Sequence, residues 1–303
     1  MLKVLAIMLT MSLTALSGPD TSAYYAASRL DYYTNEQLGE VLVFTPERLV
    51  GYRITVDLVF EYEFLNRGFE VVPGGIFTVP FELKKLRIGQ NEVTVSFYEN
   101  DKWVDSRKIW ITVKEHREDA VKIDKATGGL VAHGLHMLPF GFFTFSPVEN
   151  EDLDREAVNG FNMISPYQRM DKKSRKSRLA YMNRCADLGV KVNYNLCDLT
   201  GEDMDTELLR REIELVRNHQ ALLAWYIAEE PDNTSFPPDS LKKAYDLIKE
   251  LDPYHPVSIL VNSPRMSDEY SIAADIMLTK PMPVPGGALN EVIDYTSRNV
   301  CKF

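Results

Sequence analysis

Near residue 115 the hydrophobic pattern of this 303-residue chain changes its period, and that change limits the fold more than any other feature. From Tyr24 to about Lys114 apolar residues alternate with polar ones. Tyr52-Arg53-Ile54-Thr55-Val56-Asp57-Leu58 and Val93-Thr94-Val95-Ser96-Phe97 keep period two, and Val41–Phe44 and Ile109–Val113 are short β-rich runs. Pro73-Gly74-Gly75 and Gly89-Gln90-Asn91 read as breakers between such runs. Successive side chains of a strand point to opposite faces, so the alternation buries one face and wets the other. Many short strands between turn signals predict an all-β, immunoglobulin-like sandwich over residues 18–116.

The charged stretch Glu115 to Lys125 reads as a linker. After it, strands and helices take turns. Strands are expected at Leu138–Phe143, Phe161–Ile164, Val190–Leu196, Leu222–Ala228, Val257–Val261 and Ile276–Leu278. Helices are expected at Asp152–Val158, Lys173–Leu188, Thr206–Asn218, Ser240–Leu251 with Asp239 as cap, and about Leu289–Asn299. Leu179, Met182 and Ala186, and then Leu209, Ile213 and Val216, form apolar stripes at helical spacing. Repeated strand–helix units imply a parallel sheet. The chain therefore reads as multidomain, β followed by α/β, with a partial (β/α)8 TIM barrel over residues 117–303. Parallel sheets carry their chemistry beyond the carboxyl ends of the strands. Those positions are Phe143, Ser165 with Tyr167, Asn195 with Asp198, Glu229 with Glu230, Asn262 with Ser263, and Lys280 with Met282.

Lys3, the apolar run Val4–Leu16, and small Ala15 and Ser17 before Gly18 fit a signal peptide over residues 1–17 and a secreted or extracytoplasmic protein. An uncleaved anchor or a buried first strand are the alternatives. No later stretch is apolar for the ~18 residues that a membrane span needs. A net charge of -10 argues against a nucleic-acid surface. The basic run Lys172, Lys173, Arg175, Lys176, Arg178 reads as a solvated helix face. Three cysteines, Cys185, Cys197 and Cys301, are too few for a disulfide scaffold. A Cys185–Cys197 bridge and two buried thiols both fit. No metal-ligand spacing occurs, and no cofactor is expected.

The most loaded segment is Trp225-Tyr226-Ile227-Ala228-Glu229-Glu230-Pro231-Asp232. Two carboxylates follow an apolar strand, and a proline stops it. Strand alternation predicts that only one of them faces the barrel axis, with the other meeting a loop or helix. The plain alternative is that both are solvated at a strand exit.

WYIAEEPD resembles the strand-four signature of the large (β/α)8 glycosidase clan, in which a Glu at the end of that strand is the acid/base. The sandwich-then-barrel order resembles glycoside hydrolase family 2 and its relatives. LVAHGLHMLPFGFF, with its His133-Gly134 turn, resembles the first barrel strand, and ADIMLTKPMPVPGG resembles the sixth-strand segment. The resemblance covers about residues 120–295. It implies an O-glycosyl hydrolase of β-linked oligo- or polysaccharide, with Glu230 as acid/base.

The chain departs from the clan in two places. Glu229 stands where the clan commonly has an Asn that helps to hold a sugar hydroxyl. The clan's nucleophile lies at the end of strand seven, whereas about six strand–helix units precede Phe303. A fragment, a shortened product, or a non-catalytic carbohydrate-binding or interaction protein would each explain that.

Retaining chemistry sets two carboxyls roughly 5–5.5 Å apart and inverting chemistry ~6.5–9.5 Å apart. Asp198, the nearest second carboxylate by position, reads better as a helix cap. Glu229, Phe143, Tyr167, Asn195 and Tyr226 are the expected sugar contacts. Asn233-Thr234-Ser235 is an N-glycosylation acceptor at Asn233, or an unmodified turn. Open barrel edges would favour self-association.

Overall fold

The structure, a computed structural model, describes residues 24–144, 157, 159–166, 174–234, 236–263 and 266–280. The expected leader over residues 1–17, Met282, the helix at 289–299 and Cys301 lie outside the described residues, as does all but Ala157 of the helix at 152–158. The described chain divides into two compact units. One comprises residues 24–117 with 122–129, the other residues 118–121 with 130 onward.

Residues 24–117 of the first unit hold seven strands: β1 (Tyr25–Ser28), β2 (Leu38–Phe44), β3 (Ile54–Phe60), β4 (Glu63–Val71), β5 (Ile76–Glu82), β6 (Gly89–Glu99) and β7 (Lys102–Val113). They form two antiparallel sheets, β1-β2-β5 and β4-β3-β6-β7. The inward members of the period-two pattern meet in one apolar core. Val41, Val43, Val79 and Phe81 come from the smaller sheet, and Ile54, Val56, Leu58, Val93, Val95 and Phe97 from the larger.

Two expectations fail here for physical reasons. Gly89-Gln90-Asn91 opens β6 instead of breaking it. Asn91 Nδ2 donates to the carbonyls of Arg87, Gly89 and Ile111 at 2.8, 3.1 and 3.2 Å, so a turn residue serves as the strand's anchor. The supposed linker contains β8 (Val121–Asp124). Its charges are used internally: buried Asp124 accepts from Arg29 Nε and Nη2 at 3.0 and 2.9 Å, and Lys122 pairs with Glu36.

The second unit includes a hairpin, β9 (Gly129–Ala132) and β10 (Leu135–Met137). His133 and Gly134 turn it, with φ of 51° and 73°. Two successive left-handed residues suit the twist of a tight hairpin. The first parallel strand therefore starts later than its apolar run suggests.

That strand is β11 (Gly141–Thr144), followed by β12 (Met163–Pro166), β13 (Lys191–Asn195), β14 (Leu222–Glu229), β15 (Val257–Val261) and β16 (Ile276–Thr279). All six are parallel and lie in chain order in one sheet. At Gly141 a Cβ would run into the Met163 carbonyl, so glycine permits the first pairing.

Four helices are described here: α1 (Arg175–Asp187), α2 (Thr206–Val216), α3 (Pro238–Leu251) and the short α4 (Ser267–Tyr270). Ser174 caps α1 and Asp205 caps α2 by accepting from backbone amides. Asp239 is not the cap of α3; it lies in the first turn after Pro238, where its charge suits the helix dipole. Ile164, Val192, Tyr194, Trp225, Ile227 and Ile259 form the helix-facing core with Met182, Leu209, Ile213, Leu241 and Ile248. Cys185 and Cys197 are both free thiols.

The other face of the sheet carries buried polar groups. Asn193 Nδ2 donates to Ser165 Oγ at 3.3 Å, and Ser258 Oγ donates to Asn193 Oδ1 at 3.0 Å. At the amino-terminal side of the strands, buried Asp252 accepts from Trp225 Nε1 at 2.9 Å and lies 2.8 Å from His255 Nδ1. Burial pushes the Asp252 carboxyl up, but the His255 and Trp225 contacts outweigh it and hold it below its ordinary value. Among the described residues no helix is long and apolar enough to cross a membrane.

Candidate active site

β14 ends in two local irregularities, and together they make the site. Simple alternation would put Glu229 on the helix-facing side, opposite to Tyr226. A register shift between Tyr226 and Ala228 brings Glu229 level with Leu260 instead, on the polar face. Glu230 then leaves the strand altogether, with φ 47° and ψ 49°. The left-handed region costs a side-chain-bearing residue energy, and such strain persists only where surrounding contacts hold it. Here Glu230 N–H donates to Leu260 O at 2.7 Å, and Pro231 opens a short 3-10 turn.

Both carboxylates consequently reach one cation. Leu278 lies level with Leu260, so Lys280, two residues on, leaves β16 on the same face. Its Nζ pairs with Glu230 Oε1 and lies 3.6 Å from Glu229 Oε1. All three side chains are about a fifth exposed, at 19% and 23%. Alternation predicts one glutamate facing the barrel axis and the other meeting a loop or helix; Glu230 does leave the strand for a turn, yet both glutamates lie near Lys280. The bulge turns one carboxylate, and the left-handed residue turns the other.

A second set of contacts fixes the turn. Asn233 Nδ2 donates to Glu230 Oε2 at 2.9 Å, and Asn262 Nδ2 donates to Asn233 Oδ1 at 3.1 Å. Asp232 accepts from the backbone amides of Asn262 and Ser263 at 3.0 and 2.7 Å. The exits of β14 and β15 are therefore tied to each other, with the Glu230 carboxylate at the end of the chain of bonds. The expected glycan acceptor nitrogen is the same atom that donates to Glu230. A glycan there would stand at the rim of this site.

The other expected contacts are placed unevenly. Tyr226 is fully buried, and the half-buried Phe143 ring packs edge-on against it at 5.7 Å. Asn195 braces the exit of β13, with Nδ2 donating to Pro166 O at 3.1 Å and Oδ1 accepting from Cys197 N–H at 2.9 Å. Tyr167 lies outside the described residues. Trp225 faces the helices.

Asp198 lies in a 3-10 turn after β13 and lines a cavity of about 340 Å³ with Glu202, Asp203 and Phe236. Burial, then Glu229 and Asp198, push the Cys197 thiol well above its ordinary value, and its Sγ donates to Tyr226 O at 3.7 Å. Sequence reasoning placed Lys280 at a strand end but gave it no role. The signal was its position directly after the sixth strand on the same face as the fourth-strand glutamates.

No family profile and no curated protein sequence matches the chain. Solved structures do. A putative beta-galactosidase from Bacteroides fragilis is 15% identical at a TM-score of 0.43, over 91% of this chain and 44% of that one. A glycosyl hydrolase family 2 member from Bacteroides cellulosilyticus is 17% identical at 0.43, over 86% and 39%. A beta-glucuronidase from Bacteroides uniformis is 12% identical at 0.45, over 93% and 38%. The chain spans less than half the length of each of these three.

Proposed function

We propose that this chain is a secreted glycoside hydrolase-like protein, a sandwich followed by a partial barrel, acting on β-linked oligo- or polysaccharide with Glu230 as acid/base. The observation that carries this reading is the strained, left-handed Glu230 at the carboxyl end of the fourth parallel strand, its carboxylate held from both sides. Side-chain-bearing residues in this conformation concentrate at functional sites. Six parallel strands in chain order are also the order of a (β/α)8 barrel, whose chemistry lies at that end. The two antiparallel sheets of the first unit support the immunoglobulin-like sandwich. The leader-like start of the sequence supports placement outside the cytoplasm.

The contacts also define what the acid/base role demands. An ionised carboxylate only accepts hydrogen bonds, and Glu230 here accepts from Asn233 and pairs with Lys280. To protonate a leaving oxygen, its contact with Lys280 must open when substrate binds. That same contact favours a second reading, a protein that binds carbohydrate through the Glu229–Lys280–Glu230 cluster without cleaving it.

A panel of 4-nitrophenyl β-glycosides, assayed with the wild-type chain and Glu230→Gln, tests the proposal. Hydrolysis of at least one glycoside, lost in the variant, is the expected result. Equal hydrolysis by both proteins removes Glu230 from the chemistry. Sugar binding without hydrolysis by wild type, weakened in Glu230→Gln, supports the second reading.

A further inference from the structure

The outer face of the β4-β3-β6-β7 sheet carries a feature that the barrel site does not use. Trp103 and Trp110, both on β7, are 62% and 57% exposed. They are seven residues apart, an odd separation that would put them on opposite faces of a regular strand. A register shift in the β6–β7 ladder, between Phe97 and Tyr98, corrects the parity. Bulges re-aim side chains in this way. Trp110 lies opposite Glu92, and Trp103 lies opposite Tyr98, on the face away from buried Val93, Val95 and Phe97.

Between the two rings the rungs are hydroxyl-bearing: Ser96 faces Ser106, and Thr94 faces Lys108. The charges there are matched, because Lys108 Nζ pairs with Glu92 Oε1 at 2.7 Å. Asp57, on the adjacent β3, is buried and accepts from Gly68 N–H at 2.6 Å.

We infer that this face is a binding site for an uncharged oligosaccharide chain. Two exposed indoles can stack on the apolar faces of pyranose rings, and the hydroxyl rungs between them can exchange hydrogen bonds with sugar hydroxyls. At ~3.3 Å per residue, allowing for the bulge, the rings stand about 20 Å apart, a span of about four sugar units. Paired charges complement a neutral ligand and give no hold on nucleic acid or on a strongly charged peptide. A protein-docking patch would be expected to be contiguous and apolar, whereas these rings are separated by polar rungs. The inference does not depend on the role of Glu230, which belongs to the other unit.

The chain has three tryptophans, and the third, Trp225, is fully buried. Quenchable indole emission therefore reports on Trp103 and Trp110. The full chain is titrated with cellopentaose, xylopentaose, mannopentaose and laminaripentaose, with emission and acrylamide quenching as readouts. At least one pentaose is expected to shift the emission to the blue and to slow quenching. Trp103→Ala and Trp110→Ala should each weaken that binding about five- to tenfold. Trp110→Thr and Trp103→Phe, with circular dichroism as the check on folding, replace any alanine variant that does not fold. Unchanged emission and quenching with all four sugars, or binding unaffected by substitutions at both positions, would each overturn the inference. Protection of the rings by self-association without any sugar response would assign the face to protein contact and overturn it as well.

Discussion

Asn233 Nδ2 donates a 2.9 Å hydrogen bond to Glu230 Oε2, across one turn of a 3-10 helix and against a residue in left-handed backbone. Asn233 is itself held by Asn262, and the Asn262 and Ser263 amides by Asp232, so the carboxylate has little freedom to swing. Misplacing a catalytic group by about 1 Å can cost about 10²-fold in rate. Asn233→Ala should lower kcat at least tenfold while KM and the melting temperature change little. A fall in melting temperature without change in kcat would reduce Asn233 to a structural turn residue.

The strain at Glu230 separates stability from activity. Glycine occupies left-handed backbone freely, so Glu230→Gly relieves about 1–2 kcal/mol, which offsets the lost Lys280 pair and Asn233 hydrogen bond at about 0.5–1 kcal/mol each. Its melting temperature should stay close to that of wild type, and activity should vanish. A drop of several degrees would show that Glu230 is there to hold the fold.

The Asp252–His255–Trp225 cluster is buried, and removing one partner leaves the others unsatisfied. Asp252→Ala should destabilise by about 3–5 kcal/mol in chemical denaturation. Because the Asp252 carboxyl is held below its ordinary value, its stabilisation is complete above the unfolded pKa of about 3.9 and is lost as pH falls through the folded one. The variant's deficit should therefore shrink in acid. A deficit that is the same at all pH values would contradict this.

Lys191 behaves in the reverse sense. It is buried at the start of β13, its Nζ donating to Gln220 O at 2.5 Å, and burial pushes its amine down to about 8 despite the opposing pull of Asp119. Below pH 8 the folded state carries a costly buried charge. Between pH 8 and about 10.4 the unfolded state holds the extra proton, so stability rises with pH. Lys191→Met should raise stability at pH 7 by about 1–3 kcal/mol, with the gain disappearing towards pH 10.5. A gain that is independent of pH would point to packing alone.

Much of this fold is legible in the sequence because burial imposes periodicity. Val257–Val261 coincides with β15, and α1 and α2 lie within two residues of the expected Lys173–Leu188 and Thr206–Asn218 at each end. What periodicity cannot convey is local departure from it. β8 hides in a charged stretch because its Asp124 and Lys122 are satisfied by partners far off in sequence, Arg29 and Glu36. The convergence of Glu229 and Glu230 on Lys280 needs a bulge and a left-handed residue, neither of which leaves a mark in hydropathy. Trp103 and Trp110 share a face only through a second bulge, so counting residues along β7 gives the wrong parity.

If Glu230 supplies the proton to the departing oxygen, its loss must matter in proportion to how badly the leaving group needs that proton. Hydrolysis of a 4-methoxyphenyl and a 2,4-dinitrophenyl glycoside of the same sugar, by wild type and Glu230→Gln, resolves this. The expected outcome is a loss of about 10²–10⁴-fold on the methoxyphenyl glycoside and a much smaller loss on the dinitrophenyl one, which departs without protonation. Equal losses on both, or no loss on either, would contradict the assignment of Glu230 as the acid.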